Sequence, residues 1–127
     1  MPQATICVFR EASGTIHLTD WLAELEEKEP EAYAKCLHVI LELERLGYEL
    51  SMPHAEPLRD GIRELRTRVK KVRYRILYFF RGHNTAVLSH GITKKARTTP
   101  NHEINLALKR KQLIGQSELK HLATWEL

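Results

Sequence analysis

The first half of the chain shows two hydrophobic periods in succession, one typical of a strand and then one typical of helices. Residues 5–9 (TICVF) are β-branched and aromatic, which predicts a first strand, and Ser13-Gly14 predicts the turn that follows it. A helix should come next, with Thr19 as its N-cap and an apolar face formed by Trp21, Leu22 and Leu25.

A second amphipathic helix is predicted from Pro30, which suits a first helical position, to about Gly47, which suits a helix end. Its apolar stripe is typical of a core-facing surface and consists of Tyr33, Cys36, Leu37, Ile40 and Leu43. Segment 51–57 contains two prolines, so we expect an irregular connection that ends before residue 60.

Three closely spaced strands are predicted in the second half, at 62–69, 72–80 and 85–92. The connections between them, Lys70-Lys71 and residues 81–84, are short. Short connections join antiparallel neighbours, so the pattern indicates a meander.

A last helix is predicted to have Thr99 as its N-cap and to run from Pro100 to about residue 113. Its end would then carry three cations, a favourable place for positive charge, at Lys109, Arg110 and Lys111. Gly115 should break this helix, and a short capped turn at Ser117 should follow. The tail 116–127 either packs on the body or contacts a partner protein.

These elements predict a single α+β domain over residues 1–127, with a strand and two helices packed on an antiparallel sheet, a C-terminal helix, and 116–127 as a C-terminal extension. The chain has no apolar run near the roughly 20 residues that span a bilayer and no signal-like start, so we expect a cytoplasmic protein without membrane contact. Cys7 and Cys36 lack metal-ligand spacing and are expected to be buried thiols.

Charge is unevenly distributed along the chain, although the net charge is only +4. Residues 1–58 contain 4 Lys and Arg against 11 Asp and Glu, whereas residues 59–111 contain 15 against 3. A concentrated positive field attracts polyanions. The alternatives are a solvated basic face, or a face neutralised by Glu64, by the acidic helices or by an acidic partner.

Alternation along 72–80 predicts that the apolar residues of this strand lie on one face and its arginines, with Arg81, on the other. A two-residue hairpin at Lys70-Lys71 would extend the arginine face to the preceding strand, although two lysines are unfavourable in such a turn. Four arginines would then lie together, Arg66 opposite Arg75 and Arg68 opposite Arg73.

Like charges opposite each other on a sheet cost roughly 0.2 to 1 kcal/mol per pair, so stability gives no reason for this arrangement. A phosphate-rich ligand does, because arginine binds phosphate through two parallel hydrogen bonds and stays charged. The basic segment has too few carboxylates for a two-metal site, having only Asp60, Glu64 and Glu103. We therefore expect the protein to cleave RNA by a reaction in which the 2′-hydroxyl group of the RNA attacks the adjacent phosphate, without a metal or other cofactor.

Four motifs occur in order between about residues 58 and 111: 60–66 (DGIRELR), 75–80 (RILYFF), 90–95 (HGITKK), and Thr99-Pro100 followed by Glu103-Ile104. Each is weak alone, but their combined order and spacing resemble the HigB-like, phage-derived branch of the RelE toxin superfamily. The resemblance implies a RelE-like fold. It also implies a type II toxin that cleaves mRNA on the ribosome and is neutralised by a HigA-type helix-turn-helix antitoxin.

Carried over by motif, the resemblance implies that Arg66 and Arg75 bind the scissile phosphate, a role typically worth about 10² to 10³ in rate. Lys94 and Lys95, which Arg97 follows closely, would bind phosphate, and either lysine could exchange protons because neighbouring cations disfavour its ammonium form. We expect Arg66→Ala and Arg75→Ala to abolish growth inhibition without harming the fold. Further candidates for RNA binding are Arg68, Lys70, Lys71 and Arg73.

The histidines divide into one catalytic candidate and several others. His102, in the first turn of the last helix, is a secondary candidate for general acid or base. His90 is expected to be structural, because it alternates with Leu88 and Ile92. His54 and His83 fall in predicted loops and are interpreted as surface residues.

Two other function classes remain open. One is a nucleic-acid-binding module without catalysis, and the other is a protein-interaction subunit whose arginines pair with an acidic partner. The chain also departs from the family pattern, since Ala96 stands where a hydroxyl residue often follows the paired lysines and Lys70-Lys71 enlarges the basic hairpin.

Overall fold

A six-stranded mixed sheet forms the centre of the protein in the computed structural model, which describes residues 3–126. The strands are β1 (Thr5–Phe9), β2 (Ala55–Arg59), β3 (Ile62–Val69), β4 (Val72–Arg81), β5 (Thr85–Lys94) and β6 (Leu122–Thr124). The helices are α1 (His17–Lys28), α2 (Pro30–Leu46), α3 (Asn101–Gln116) and α4 (Glu118–His121), with one 3₁₀ turn at Gly47–Glu49.

The strand order is β2-β3-β4-β5-β1-β6. The predicted α+β class and the antiparallel meander β3-β4-β5 are confirmed. The prediction of a wholly antiparallel sheet is wrong, because β1 pairs with β5 in parallel, with Thr5 opposite Thr85. No hairpin joins these two strands, so turn geometry does not impose an antiparallel direction on them.

Two apolar clusters cover the two faces of the sheet. The larger packs α1 and α2 against one face through residues such as Leu22, Cys36, Ile40 and Ile76. The smaller packs α3 against the other face through Leu77, Phe79, Val87, Ile104, Ala107 and Ile114. The face predicted to carry arginines is therefore only partly polar, since α3 buries the half that contains Leu77 and Phe79.

Two edge strands were not predicted. β2 lies within the segment expected to be irregular, and it tolerates Pro57 because it is an edge strand with a register shift between Pro57 and Arg59. β6 pairs with β1 at the opposite edge. Asp60 and Gly61 join β2 to β3 with φ angles of 53° and 84°, as a tight hairpin turn requires.

The helix bounds agree with the pattern for α2 and differ for α1 and α3. Pro30 begins α2, and Gly47 ends it with a φ of 58°. Thr19 is not the N-cap of α1, because the helix begins two residues earlier and Thr19 donates to the Ile16 carbonyl oxygen. Neither is Thr99 the cap of α3, which begins at Asn101.

Helix α3 continues through Gly115, where a break was predicted. Lys109 and Lys111 consequently lie in the body of the helix and not in its last turn. Arg110 is buried, donates to the Ser89 carbonyl oxygen at 2.9 Å and lies 4.7 Å from the centre of the Phe9 ring. The tail packs on the body, with Ser117 capping α4 as predicted.

The two cysteine predictions are confirmed, since Cys7 and Cys36 are buried and unbonded. Burial raises the pKa of the Cys36 thiol to about 12.

Candidate functional site

An open cleft of ≈ 750 Å³ lies on the α3 side of the sheet, where β3 and β4 extend past the start of the helix. Residues 52–56 form one wall and residues 97–99 form another. Five arginines and two glutamates line it, namely Arg66, Arg68, Arg73, Arg75, Arg97, Glu56 and Glu64. The cleft is therefore positively charged.

The register of β3 and β4 creates this cluster of cations. Val69 pairs with Val72, Arg68 with Arg73, and Arg66 with Arg75, which confirms the predicted hairpin. Lys70 takes the left-handed conformation that the turn needs, with a φ of 56°. Alternation in the two flanking strands thus determines the register despite an unfavourable turn sequence.

Glu64 is the centre of a polar network beneath the cleft. It is only 3% exposed. Its Oε2 lies 3.3 Å from Arg75 Nε and 3.8 Å from Arg66 Nε, and its Oε1 accepts a hydrogen bond from the Thr99 hydroxyl group. Part of the arginine charge is therefore balanced internally, as one alternative interpretation anticipated.

Arg75 is the most deeply placed cation of the cleft, at 2% exposure. Its Nε is 3.3 Å from the Glu64 carboxylate but is not aligned for a hydrogen bond, and it is a buried side-chain nitrogen without a hydrogen-bond partner among residues 3–126. Burial lowers the pKa of Arg75, as do Arg66 and Arg73, whereas Glu64 opposes the shift. The guanidinium group is poorly compensated, so an anion in the cleft would stabilise it.

Lys94 connects the end of β5 to the same network. Its Nζ donates to Thr99 Oγ1 at 3.2 Å and to the Arg97 carbonyl oxygen at 3.4 Å. Burial, and then the nearby charge of Arg75, lowers the pKa of Lys94. Lys94 is therefore more ready to release a proton than an ordinary surface lysine.

The other basic candidates lie at different depths. Arg73 donates to the Lys95 carbonyl oxygen at 2.7 Å, which attaches the segment after β5 to the sheet. Lys95 is exposed, and Arg97 is exposed at the wall of the cleft. The remaining pair, Lys70-Lys71, is exposed at the hairpin tip, whereas Arg68 and Arg73 line the cleft.

The structure does not place His102 among the residues that line the arginine cleft. Its side chain is 79% exposed, lies 3.7 Å from Glu103 Oε2 and faces a neighbouring cavity. A catalytic role for His102 stays a prediction.

His90 is buried between hydrogen bonds to Ser89 Oγ at 2.8 Å and Glu103 Oε1 at 3.0 Å. A register shift in β5 places His90 opposite Leu77 and Leu88 opposite Tyr78, so the predicted alternation of His90 with Leu88 is wrong. Burial, followed by the charge of Arg110, lowers the pKa of His90, and Glu103 opposes that shift. The residue is a satisfied part of the interior.

Two titratable residues of the cleft were not identified as site residues from the sequence. His54, interpreted as a surface residue, lines the cleft, and Glu56 binds Arg66 Nη1 through Oε2 at 2.6 Å. His54 directly precedes β2 and Glu56 lies within it. This strand was not predicted because of the two prolines in segment 51–57. The Asp60-Gly61 pair was the available signal, because it is typical of a hairpin and therefore of a strand before β3.

Among residues 3–126, none of the helices combines the length and apolar character needed to cross a bilayer. In the same part of the chain, no three His, Cys, Asp or Glu side chains are grouped so that they could hold a metal ion.

The model of a protein family described as "Phage derived protein Gp49-like (DUF891)" matches residues 20–112, which include most of α1, all of α2, the meander and most of α3. No curated protein matches the chain.

Proposed function

This chain belongs to the Gp49-like family of phage-derived proteins, a RelE/toxin-like family of toxin–antitoxin systems, and we propose that it is a HigB-like type II toxin that cleaves mRNA on the ribosome. One observation carries the proposal. Arg75 and four other arginines line one open cleft that contains, within residues 3–126, only two carboxylates, and this excess of positive charge favours a bound phosphodiester.

The reaction we assign to this cleft needs only groups of the RNA and of the chain. The 2′-oxygen forms a bond to phosphorus while the bond from phosphorus to the 5′-oxygen breaks. The products are a 2′,3′-cyclic phosphate and a 5′-hydroxyl end. DNA is not a substrate because it lacks the attacking hydroxyl group.

Arg66 and Arg75 bind the non-bridging oxygens and stabilise the negative charge that grows on them in the transition state. Arg75 Nε lies 3.3 Å from the Glu64 carboxylate, so an opposite charge keeps the guanidinium group in the cleft before the substrate arrives. Preorganised charge of this kind is effective because it does not need to rearrange during the reaction.

Two proton transfers complete the reaction. His54 lines the cleft and accepts the proton of the 2′-hydroxyl group. Lys94 donates a proton to the leaving 5′-oxygen, a role favoured by the lowered pKa of its ammonium group. Lys95, Arg97 and the hairpin cations Arg68, Lys70, Lys71 and Arg73 bind the flanking phosphates.

The partner of the toxin in this proposal is a HigA-type helix-turn-helix antitoxin, which covers the cleft or keeps the protein off the ribosome. Co-expression of a helix-turn-helix protein encoded beside this chain should restore growth. An unchanged growth arrest in the presence of the soluble partner would refute that pairing.

The experiment that tests the proposal is tightly induced expression in bacteria, with mapping of the 5′ ends of cellular mRNA. The wild-type protein should arrest growth and create new ends within translated regions. Arg66→Gln should remove them, because one phosphate-binding cation contributes about 10² to 10³ in rate. Lys109→Gln, at an exposed position of α3, is the control with the same change of charge.

Equal toxicity of the two variants would refute the assignment of the site. If folded wild-type protein neither arrests growth nor creates mRNA ends, the chain is a nucleic-acid-binding module without catalysis.

A further inference from the structure

A second cavity, of ≈ 530 Å³, lies beside the arginine cleft, between α1 and the start of α3. Its lining includes Trp21, Glu24, Lys94, His102 and Glu103. The roles proposed above use only Lys94 from this set. The cavity therefore contains an aromatic ring, an imidazole and two carboxylates without an assigned function.

Trp21 is held in a defined orientation on the sheet. Its Nε1 donates to Thr93 Oγ1 at 3.2 Å, and its ring centre is 6.5 Å from that of Tyr74. A Cβ atom added at Gly91 would lie 2.2 Å from Trp21 Cε3 and 2.4 Å from Cζ3. Gly91 does not have a left-handed φ, so the close approach of the indole is the reason for glycine there.

Lys94 joins the cavity to the arginine cleft. The residue lines the cavity, and its Nζ is 3.2 Å from Thr99 Oγ1, which belongs to the wall of the cleft. A phosphate bound in the cleft and a group bound in the cavity would thus lie on the two sides of one lysine. A single nucleotide strand can therefore place a phosphate in the cleft and an adjacent base in the cavity.

The polar groups of the cavity differ from those of the cleft. Glu24 is exposed. Glu103 is hydrogen-bonded to His90 through Oε1, and its Oε2 lies 3.7 Å from His102 Nε2. Carboxylate oxygens accept hydrogen bonds and repel phosphate, so this cavity suits a neutral group that has donors. The edges of adenine, cytosine and guanine carry such donors in their amino groups.

We propose that this cavity binds a nucleobase of the RNA next to the scissile phosphate, stacked on Trp21 and donating its amino group to Glu24 or Glu103. The inference rests on the proposed function, since the strand in the cleft delivers the base. An aromatic surface that faces an RNA path supplies affinity through stacking, and the acceptors beside it favour amino-bearing bases over uracil, whose one edge donor is its N3–H group.

Tryptophan fluorescence can test the cavity without any cleavage. The chain has two tryptophans, so Trp125→Phe leaves Trp21 as the single reporter. Short oligodeoxynucleotides lack the 2′-hydroxyl group and are not cleaved, and a fluorescent label on them reports total binding by anisotropy. Adenine- or cytosine-containing strands should quench Trp21 as they bind, whereas thymine-containing strands should bind more weakly and an abasic strand should not quench.

Two substitutions connect the signal to the cavity. Trp21→Leu should weaken binding of the adenine-containing strand about tenfold or more, since stacking of one base contributes about that factor. Gly91→Ala keeps the indole but displaces it, so it should also reduce the affinity and the quenching. Trp21→Phe keeps an aromatic ring and should weaken binding less than leucine does, which separates stacking from a general loss of packing.

The outcomes distinguish this inference from the function on which it rests. Binding by anisotropy without quenching of Trp21, or equal affinity for abasic and adenine-containing strands, would overturn the base site and leave the arginine cleft intact. No binding of any strand at low salt would overturn the base site, whereas the proposed function is overturned only if the wild-type protein creates no new mRNA ends in cells.

Discussion

Replacing Arg75 with methionine should destabilise the protein, because Arg75 and Glu64 form an ion pair that is almost completely buried. Removing one member of such a pair leaves the other charge in the interior and typically costs about 3–5 kcal/mol. Without Arg75, the Glu64 carboxylate would still accept the hydrogen bond from the Thr99 hydroxyl group and would still lie 3.8 Å from Arg66 Nε. We therefore expect the free energy of unfolding to decrease by about 3 kcal/mol, near the lower limit of that range.

The partner substitution Glu64→Leu should cost a similar amount, since it leaves the Arg75 guanidinium group buried without a carboxylate. The double variant Arg75→Met/Glu64→Leu removes both charges and fills the space with apolar atoms. Such replacements are often neutral or stabilising. The double variant should therefore recover at least about 2 kcal/mol relative to the sum of the two single losses.

Urea unfolding of the four proteins, followed by circular dichroism, measures these differences as a double-mutant cycle. Arg68→Met is the matched control, because Arg68 is an exposed arginine on β3, the strand that pairs with the strand of Arg75, and its loss should change the stability by about 0.5 kcal/mol at most. If the stability loss of the double variant equals the sum of the two single losses to within about 0.5 kcal/mol, the coupling between Arg75 and Glu64 is refuted. The sequence alone led to the expectation that Arg75 can be truncated without harm to the fold, whereas its burial against Glu64 leads us to expect a loss of stability.

Three further predictions follow from particular contacts. Glu56→Gln should release Arg66 from its ion pair and increase the affinity for a labelled oligonucleotide by up to about fivefold, because a partly exposed ion pair contributes at most about 1 kcal/mol. Anisotropy measures this affinity, and weaker binding by the variant would contradict the prediction. Cys7 and Cys36 should not react with a thiol reagent at pH 8 until the protein is unfolded, because burial raises the pKa of both; rapid labelling of the native protein would contradict their burial. Burial beside Arg110 lowers the pKa of His90, so the unfolded chain binds a proton that the folded one does not, and the free energy of unfolding should fall as the pH decreases below about 6.5. His90→Gln should reduce that dependence in urea unfolding at pH 7 and pH 5, and an identical dependence in both proteins would show that His90 is not its source.

Local pattern predicted the elements whose neighbours in space are also neighbours in sequence. The meander and the bounds of α2 follow from hydrophobic period, proline and glycine placement, and short connections. The register of β3 on β4 follows in the same way, because a two-residue turn leaves only one pairing that keeps both apolar faces on the core. That register is sufficient to place Arg66, Arg68, Arg73 and Arg75 together.

The remainder of the site depends on contacts between segments that are distant in sequence. Glu64 and Thr99 are 35 residues apart, and nothing in either local sequence indicates their hydrogen bond. His54 and Glu56 enter the cleft only because β2 pairs with β3, a pairing that two prolines made difficult to predict. His102 lines the neighbouring cavity together with Trp21 and Glu24 of α1, which are distant from it in sequence.

The sequence by itself determined the α+β class, the segregation of charge and the cluster of strand arginines, since each arises from composition or from a period of two along single strands. Tertiary structure alone decided that β1 lies parallel to β5, that a register shift turns His90 toward α3, and that Arg75 is buried against Glu64. Each of these features depends on contacts with several segments that are distant in sequence. Alternation assigns a side chain to a face of the sheet, but what covers that face determines whether the side chain meets solvent, a carboxylate or a ligand.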